Sequence, residues 1–284
     1  MLRGKARSVT TTRRPYTPAG GTGTALAHDL RGDGLPVVQL HDGLPVLQLH
    51  GLSSSRRRDE VFGLDLTAGR DGLRVLRYDA RGHGGSPGST DPADYTWPAL
   101  ARDLLTMLDE VFPGRRVHGV GQSMGAATLI TAAVAEPDRF ASLTLGIPPT
   151  AWEWRREQAT LYDLAARQVT RWGGARWAET TRQPPTSPAI DPDRPFTVPD
   201  VADEWLPAAF RGAALSDLPS RAECAGVGVP VLLLAWPDDA SHPLAVAEEL
   251  LGLLPDVRLE VAPTPAEVAA WPRIVGEFVH DAGA

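Results

Sequence analysis

Residues 119–126 read Gly-Val-Gly-Gln-Ser-Met-Gly-Ala, and within them Gly121-Gln122-Ser123-Met124-Gly125 decides the fold. A β-rich run, Arg116–Val120, precedes this stretch. A small-residue run from Met124 to Ala135 follows it and stops before Pro137. The pattern G-x-S-x-G is short enough to arise by chance; strand, sharp turn and helix in that order make it specific. Such a turn strains the backbone at the serine and pushes its side chain out above the sheet edge. Gly121 and Gly125 lack a Cβ, so strand and helix can approach closely around the bend.

Further strands are predicted on both sides. Leu44–His50 is a near-continuous apolar run, as in a strand buried on both faces, and His50-Gly51-Leu52-Ser53 turns over its end. Leu73–Tyr78 is the next strand, followed by the glycine-rich turn Asp79-Ala80-Arg81-Gly82-His83-Gly84-Gly85-Ser86. A phosphate loop is discounted there, because the turn lacks the Lys-Ser/Thr ending and a following helix start. Trp97–Phe112 is an amphipathic helix with Leu100, Leu104, Leu105, Leu108, Val111 and Phe112 on one stripe. Ala141–Gly146, Pro230–Ala235 and Val257–Val261 read as later strands. From Pro148 to about Arg211 there is no strand signal. Helical pieces at Trp152–Val169, Gly174–Thr181 and Ala202–Arg211 surround a proline-rich break at Pro184–Pro199.

The start of the chain is less regular. Residues 1–20 are polar and read as a flexible segment with one short strand at Ser8–Arg13; Thr24–Asp29 reads as another. Gly34–Asp42 is then repeated almost residue for residue by Gly43–Gly51, too short a period for a solenoid. Only the second copy ends in His-Gly. The first is therefore expected as an extra edge strand or bulged loop, with Asp42-Gly43 as a hairpin turn.

The 284 residues suffice for one large α/β domain with an insertion, and 43% apolar residues are ordinary for a globule with a real core. A net charge of −7 gives no nucleic-acid footprint. The single cysteine, Cys224, excludes an internal disulfide and a zinc cluster, and reads as a small buried residue. No apolar run reaches the length of a membrane span. Met1–Arg7 is basic but lacks the apolar core of a secretory signal, so a cytoplasmic place is the default expectation. No cofactor or metal is implied: there is no glycine fingerprint with a following helix and distal acid, and no cluster with ligand spacing.

Four motifs in order carry a family resemblance: His50-Gly51-Leu52 after a strand, Tyr78–Ser86, the Ser123 turn, and Asp238-Asp239 after a late strand. From about residue 21 to the C-terminus the chain resembles the α/β-hydrolases. The resemblance implies an α/β fold: a mostly parallel central sheet with helices on both faces, formed by residues 21–147 and 213–284, with an inserted helical cap at 148–212. It implies Ser123 as nucleophile, with the N–H groups of Leu52 and Met124 as the oxyanion hole that stabilises charge on an attacked carbonyl. It gives His50 and the D-x-R-G-x-G-x-S turn structural roles. The acid belongs on the loop after Pro230–Ala235, where Trp236 stands in the place of the usual glycine; Asp239 is the matching residue and Asp238 the fallback. Five of the eight tryptophans fall in the cap: Trp152, Trp154, Trp172, Trp177 and Trp205. Trp152 and Trp154 are the candidates for binding an apolar or aromatic substrate; packing of the cap onto the core explains the five equally well. Arg155 and Arg156 read either as carboxylate binders or as a solvated helix face.

The resemblance breaks at one position. A serine hydroxyl needs a base, and the family places a histidine after the last strand. Residues 243–279 contain none, and Pro265 falls about where that histidine belongs. His28 and His41 lie in early strands, His50 and His83 in turns, His118 inside a strand, and His280 on the last helix. His242, three residues past Asp239 on a loop at the correct sheet edge, is the candidate base, with His83 behind it. Three readings stay open. The first is a serine hydrolase of a small apolar ester, lactone or thioester. The second is a pseudo-enzyme that binds a hydrophobic ligand. The third is a non-hydrolytic catalyst such as a biosynthetic cyclase.

Overall fold

A computed structural model of the chain describes residues 26–31 and 43–283. The strand expected at Ser8–Arg13 and the first copy of the repeat lie outside the described residues. Seven strands form one sheet: β1 (His28–Arg31), β2 (Leu44–Leu49), β3 (Leu73–Tyr78), β4 (Val117–Gln122), β5 (Phe140–Gly146), β6 (Val231–Ala235) and β7 (Val257–Val261). Their spatial order is β1-β3-β2-β4-β5-β6-β7; β1 runs antiparallel to β3 and all other pairs are parallel. The helices are α1 (Arg56–Val61), α2 (Trp97–Val111), α3 (Met124–Ala135), α4 (Arg155–Trp172), α5 (Gly174–Thr180), α6 (Leu206–Ala214), α7 (Arg221–Ala225), α8 (Leu244–Leu253) and α9 (Pro265–Gly283).

The near-continuous apolar strands serve two cores because successive side chains point to opposite faces. Leu47, Leu49, Leu76, Val231 and Leu233 face a core completed by α2, α3 and α8. Val46, Val75, Val120, Leu232 and Leu234 face a second one completed by Trp271, Val275 and Val279 of α9. The stripe read on α2 is the one that is buried: Leu100, Leu104, Leu105 and Leu108 lie inside with Phe112. Cys224 is buried as well, and burial, reinforced by Glu223, pushes its thiol up to about 11.

Two sequence expectations shift. The early strand runs His28–Arg31, two residues past the expected end at Asp29, pairing His28 with Tyr78 and Arg31 with Val75; Thr24 and Ala25 lie outside the described residues. The segment between β5 and β6 has the three helices expected there at α4, α5 and α6, the last displaced toward Ala214, with α7 following before β6. There α6 packs on α4, and Phe210 meets Tyr162 at 6.0 Å and Trp177 at 5.0 Å.

The Asp79–Ser86 turn spends its polar groups internally. The Asp79 carboxylate accepts from the Arg56 and Gly85 N–H groups at 2.9 and 3.0 Å, and the Ser86 hydroxyl donates to the Asp79 carbonyl at 2.6 Å. Nearby, Arg77 is 1% exposed and pairs with Asp65 at 2.6 Å. Asp59 has no such ion pair among the described residues; its carboxylate accepts from the Ser54 hydroxyl at 3.1 Å. Burial holds the Asp59 carboxyl well above the ordinary carboxylate range, with the Ser54 hydrogen bond and the Arg77 charge pulling the other way.

The sign of the consequence follows. The folded chain keeps a proton on Asp59 that the unfolded chain releases near pH 3.9, so this residue costs stability as pH rises from there toward its folded value. Asp59→Asn is expected to be more stable than the parent at pH 8, by on the order of 1 kcal/mol, with the gap closing toward pH 4. Urea unfolding of both proteins at the two pH values checks this; a parent that is the more stable at pH 8 refutes it.

Candidate active site

The site assembles at the carboxyl ends of β2, β4 and β6, where open α/β sheets place their ligands. Ser123 lies between β4 and α3 with φ 53° and ψ −118°, a region a side chain rarely enters. Close approach on both sides of the turn holds it there. A Cβ on Gly121 would stand 2.5 Å from the Gly125 carbonyl oxygen, and one on Gly125 would stand 2.7 Å from that of Leu49. Its N–H donates to Gly146 O at 3.0 Å, tying the turn to β5.

The turn after β2 passes beside it. A Cβ on Gly51 would lie 3.9 Å from Ser123 Oγ. The Ser54 N–H donates to Gly51 O at 3.1 Å and the Ser53 N–H to His83 Nε2 at 3.2 Å, while the Leu52 N–H has no hydrogen bond to another group among the described residues. Met124 is the first residue of α3, so its N–H has no intrahelical acceptor.

His242 meets the serine. Its Nε2 is 2.8 Å from Ser123 Oγ, and its Nδ1 is 2.8 Å from Asp239 Oδ2. Asp239 also accepts from the Trp236 indole N–H at 2.9 Å and the Ser241 N–H at 2.9 Å. Burial raises the Asp239 pKa, but the His242 hydrogen bond, its charge and these other donors outweigh it, holding the carboxyl far below the usual range. Asp238 is exposed, with φ 58°, and its carbonyl accepts from Thr186 Oγ1 at 2.6 Å. Of the two acids, Asp239 is the one turned to the histidine.

The other histidines described near the sheet have both functions of the ring committed or lie elsewhere. His50 Nε2 accepts from the Ala80 N–H at 2.9 Å, so its Nδ1 is the protonated nitrogen that donates to Gly51 O at 2.8 Å. His83 does the same between Ser53 N–H and Arg81 O, is fully buried, and is pushed down to about 3, burial first and His50 second. His118 sits in β4 against Ser142 Oγ at 2.8 Å, with burial the main cause lowering it to about 4. His280 faces Asp71 O on α9, and His41 lies outside the described residues. Pro265 opens α9, and the preceding Thr264 accepts from the Glu267 N–H while Glu267 accepts from the Thr264 N–H, a capping box that suits a proline at the first helical position.

The tryptophans divide. Trp152 donates from its ring to Pro219 O at 3.1 Å and lies under Arg221 at 4.5 Å; Trp154 is 41% exposed. Neither has a hydrogen bond or ring contact to Ser123, His242 or Asp239 among the described residues. Trp177 and Trp205 pack with α4 and α6. Arg155 fits neither sequence reading: it is 5% exposed, donates to Ser216 O, Ala213 O and Thr150, and lies over Trp97 at 4.4 Å. It is a buried clamp, and Arg156 is exposed. Trp236 was the residue whose part sequence reasoning missed, and its signal was present: a large aromatic in the place of a glycine. Its ring stacks on Trp271 at 5.7 Å and meets His242 edge-on at 6.4 Å. Among the described residues no group of three or more His, Cys, Asp or Glu side chains is arranged to hold a metal ion.

Comparison with known proteins bears on the family and the fold. A model described as "Alpha/beta hydrolase family" matches residues 46–275. The chain belongs to the alpha/beta hydrolase family. RutD of Variovorax paradoxus (strain S110), named for carbamate hydrolysis, is 30% identical over 201 residues, 68% of this chain and 73% of that protein. The 3-oxoadipate enol-lactonase 2 of Acinetobacter baylyi is 27% identical over 68% of this chain and 71% of its own length. Among solved structures, an enol-lactonase from Burkholderia xenovorans LB400 superposes with a TM-score of 0.68 at 21% identity, covering 91% of this chain and 96% of that one. A thermophilic esterase from Thermogutta terrifontis gives a TM-score of 0.68 at 22% identity, over 98% and 97%.

Trp236→Phe keeps a ring for the stack and removes the donor to Asp239. A hydrogen bond to a charged group contributes about 1.5–3 kcal/mol, so a loss of that order at pH 7 is expected. The Asp239 pKa is depressed by folding, so its contribution is complete above the unfolded value of about 3.9 and is lost as pH falls through the folded one. Acid unfolding of Trp236→Phe is therefore expected at higher pH than that of the parent. Followed by circular dichroism, an unchanged midpoint would count against the bond.

Proposed function

We propose that the protein is a serine hydrolase of a small ester or lactone, acting through an acyl-enzyme on Ser123. The observation that carries the reading is the relay Ser123 Oγ–His242–Asp239, with 2.8 Å at each nitrogen of the imidazole. His242 Nε2 takes the Ser123 proton as Oγ attacks the carbonyl carbon. The N–H groups of Leu52 and Met124 receive the oxyanion. His242 then returns the proton to the leaving oxygen, and the C–O bond breaks to leave acyl-Ser123. Water enters, gives its proton to His242, attacks the acyl carbon, and Ser123 Oγ leaves with that proton. Asp239 fixes the tautomer with Nδ1–H toward itself and stabilises the imidazolium.

The names of the relatives, a carbamate hydrolase and an enol-lactonase, support hydrolysis of a small acyl substrate. Residues 148–212 act as a cap over the site in this reading, with an apolar portion of the substrate held beneath it. Among the described residues no helix is long and apolar enough to cross a membrane. The readings as a ligand-binding pseudo-enzyme or a non-hydrolytic catalyst rested on a missing base, and the contact of His242 with Ser123 supports the hydrolase reading over them.

Reaction with a fluorophosphonate probe tests the assignment. The parent is expected to label, Ser123→Ala not at all, and His242→Gln at least about 100-fold more slowly, the lower end of what a general base contributes. A folded parent that does not label, or a His242→Gln variant that labels at the parent rate, would sink it.

A further inference from the structure

We propose that Arg58 and Arg194 form a subsite for a carboxylate on the substrate, which makes the substrate an ester or lactone carrying a free carboxylate. The inference rests on the reading of Ser123 as nucleophile and narrows it.

Most arginines at the sheet are matched to acids: Arg31, Arg56, Arg77 and Arg81 each pair with an aspartate or glutamate, and so do Arg139 and Arg221 farther out. Arg58 and Arg194 are not in any ion pair among the described residues. Both guanidinium carbons lie 5.1 Å from the centre of one ring, that of Phe62. Arg58 spends its bonds on neutral acceptors, Ser53 O and Thr197 Oγ1, the latter at 2.9 Å. Two cations therefore contact one aromatic ring in a chain whose net charge is −7. Desolvation pulls both below the usual arginine range; the Asp200 charge offsets part of this at Arg58, where the nearness of Arg194 adds to it, and the Asp239 charge offsets part at Arg194.

Position ties the pair to the reaction. Ser53 follows Leu52, so Arg58 is anchored on the oxyanion turn. Arg194 belongs to the segment that Thr186 fastens to Asp238, and the Asp239 charge reaches it. Planar guanidinium groups recognise planar carboxylates through paired N–H donors, and a partly desolvated, unneutralised pair gains most from such a guest.

The test compares two esters of equal chain length on the whole protein: 4-nitrophenyl valerate, which is neutral, and mono-4-nitrophenyl glutarate, which ends in a carboxylate. The readout is the ratio of kcat/KM, glutarate over valerate, within each protein. Arg194→Gln is the main variant because Arg194 is exposed and Arg58 supports a turn. The ratio is expected to fall about tenfold or more in Arg194→Gln and further in Arg194→Glu, and to fall in the parent at 0.5 M NaCl as surface charge is screened. If valerate is cleaved by Ser123 but the ratio is the same within twofold in parent, Arg194→Gln and Arg194→Glu, the subsite is wrong and the hydrolase reading stands. If neither ester is cleaved and Ser123 does not label, both fall.

Discussion

A side chain held at φ 53° and ψ −118° is the constraint on which the rest of this molecule depends. Such a conformation costs on the order of 1–3 kcal/mol and persists only where surroundings leave no alternative. Here they do not. The carbonyls of Gly125, Leu49 and His50 crowd the bend, the Ser123 N–H is bound by β5, and β4 lies between β2 and β5 in a parallel sheet buried on both faces. The two-sided core fixes where β4 ends, and the end of β4 fixes where Ser123 Oγ points. Relaxing the turn would require moving α3, whose small residues pack directly against the sheet.

The second constraint is local. His242 and Asp239 are three residues apart, and for the imidazole to meet both Asp239 and Ser123 the chain must bend back on itself. The backbone does this with a left-handed Asp238 at φ 58°, an Asp239 side chain that caps the Ser241 N–H, and a His242 N–H bound to Asp239 O at 3.2 Å. An Asx-type turn of this kind orients the acid with bonds of its own, before the imidazole contributes any. Trp236 supplies the remaining support, because its N–H holds the carboxylate oxygen that faces His242 while its ring is anchored on Trp271 of α9. The C-terminal helix thus still steadies the site through an aromatic stack, although its first turn carries Pro265 where the family places a histidine.

Much of this was legible in the residues. The near-continuous apolar run of Leu44–His50 located β2 within a residue, the readings of β3, β6 and β7 fall as close, and the glycine spacing around Ser123 marked the strand–turn–helix. His242 was also legible, by elimination and by its place on the right loop. The part that was not readable concerns contacts made across the fold. Nothing local distinguishes Arg155, buried against Trp97 and three carbonyls, from Arg156, which faces water beside it. His83 and His50 read as turn residues, but only the N–H donors of Ser53 and Ala80 show that their rings have no nitrogen left for catalysis. The helix ends near Ala202–Ala214 moved because α6 is positioned by α4, not by its own sequence signals.

The stretch with the least regular structure links these parts. Between α5 and α6 it carries six prolines, at 184, 185, 188, 192, 195 and 199, which restrict the unfolded chain and lower the entropy lost on ordering an otherwise irregular segment. Its contacts alternate between the two halves of the site. Thr186 binds the Asp238 carbonyl, and Ser187 and Ala189 are buried, Ala189 in the core beneath Trp236. Thr197 accepts from Arg58, the Asp200 N–H donates to Ser53 O at 3.0 Å, and Val201 bridges to His83. One extended segment therefore holds the acid loop at one end and the oxyanion turn at the other. Those two loops come from β6 and β2, which are not neighbours in the sheet, so the sheet alone does not fix their separation. The proline-rich segment bridges them directly.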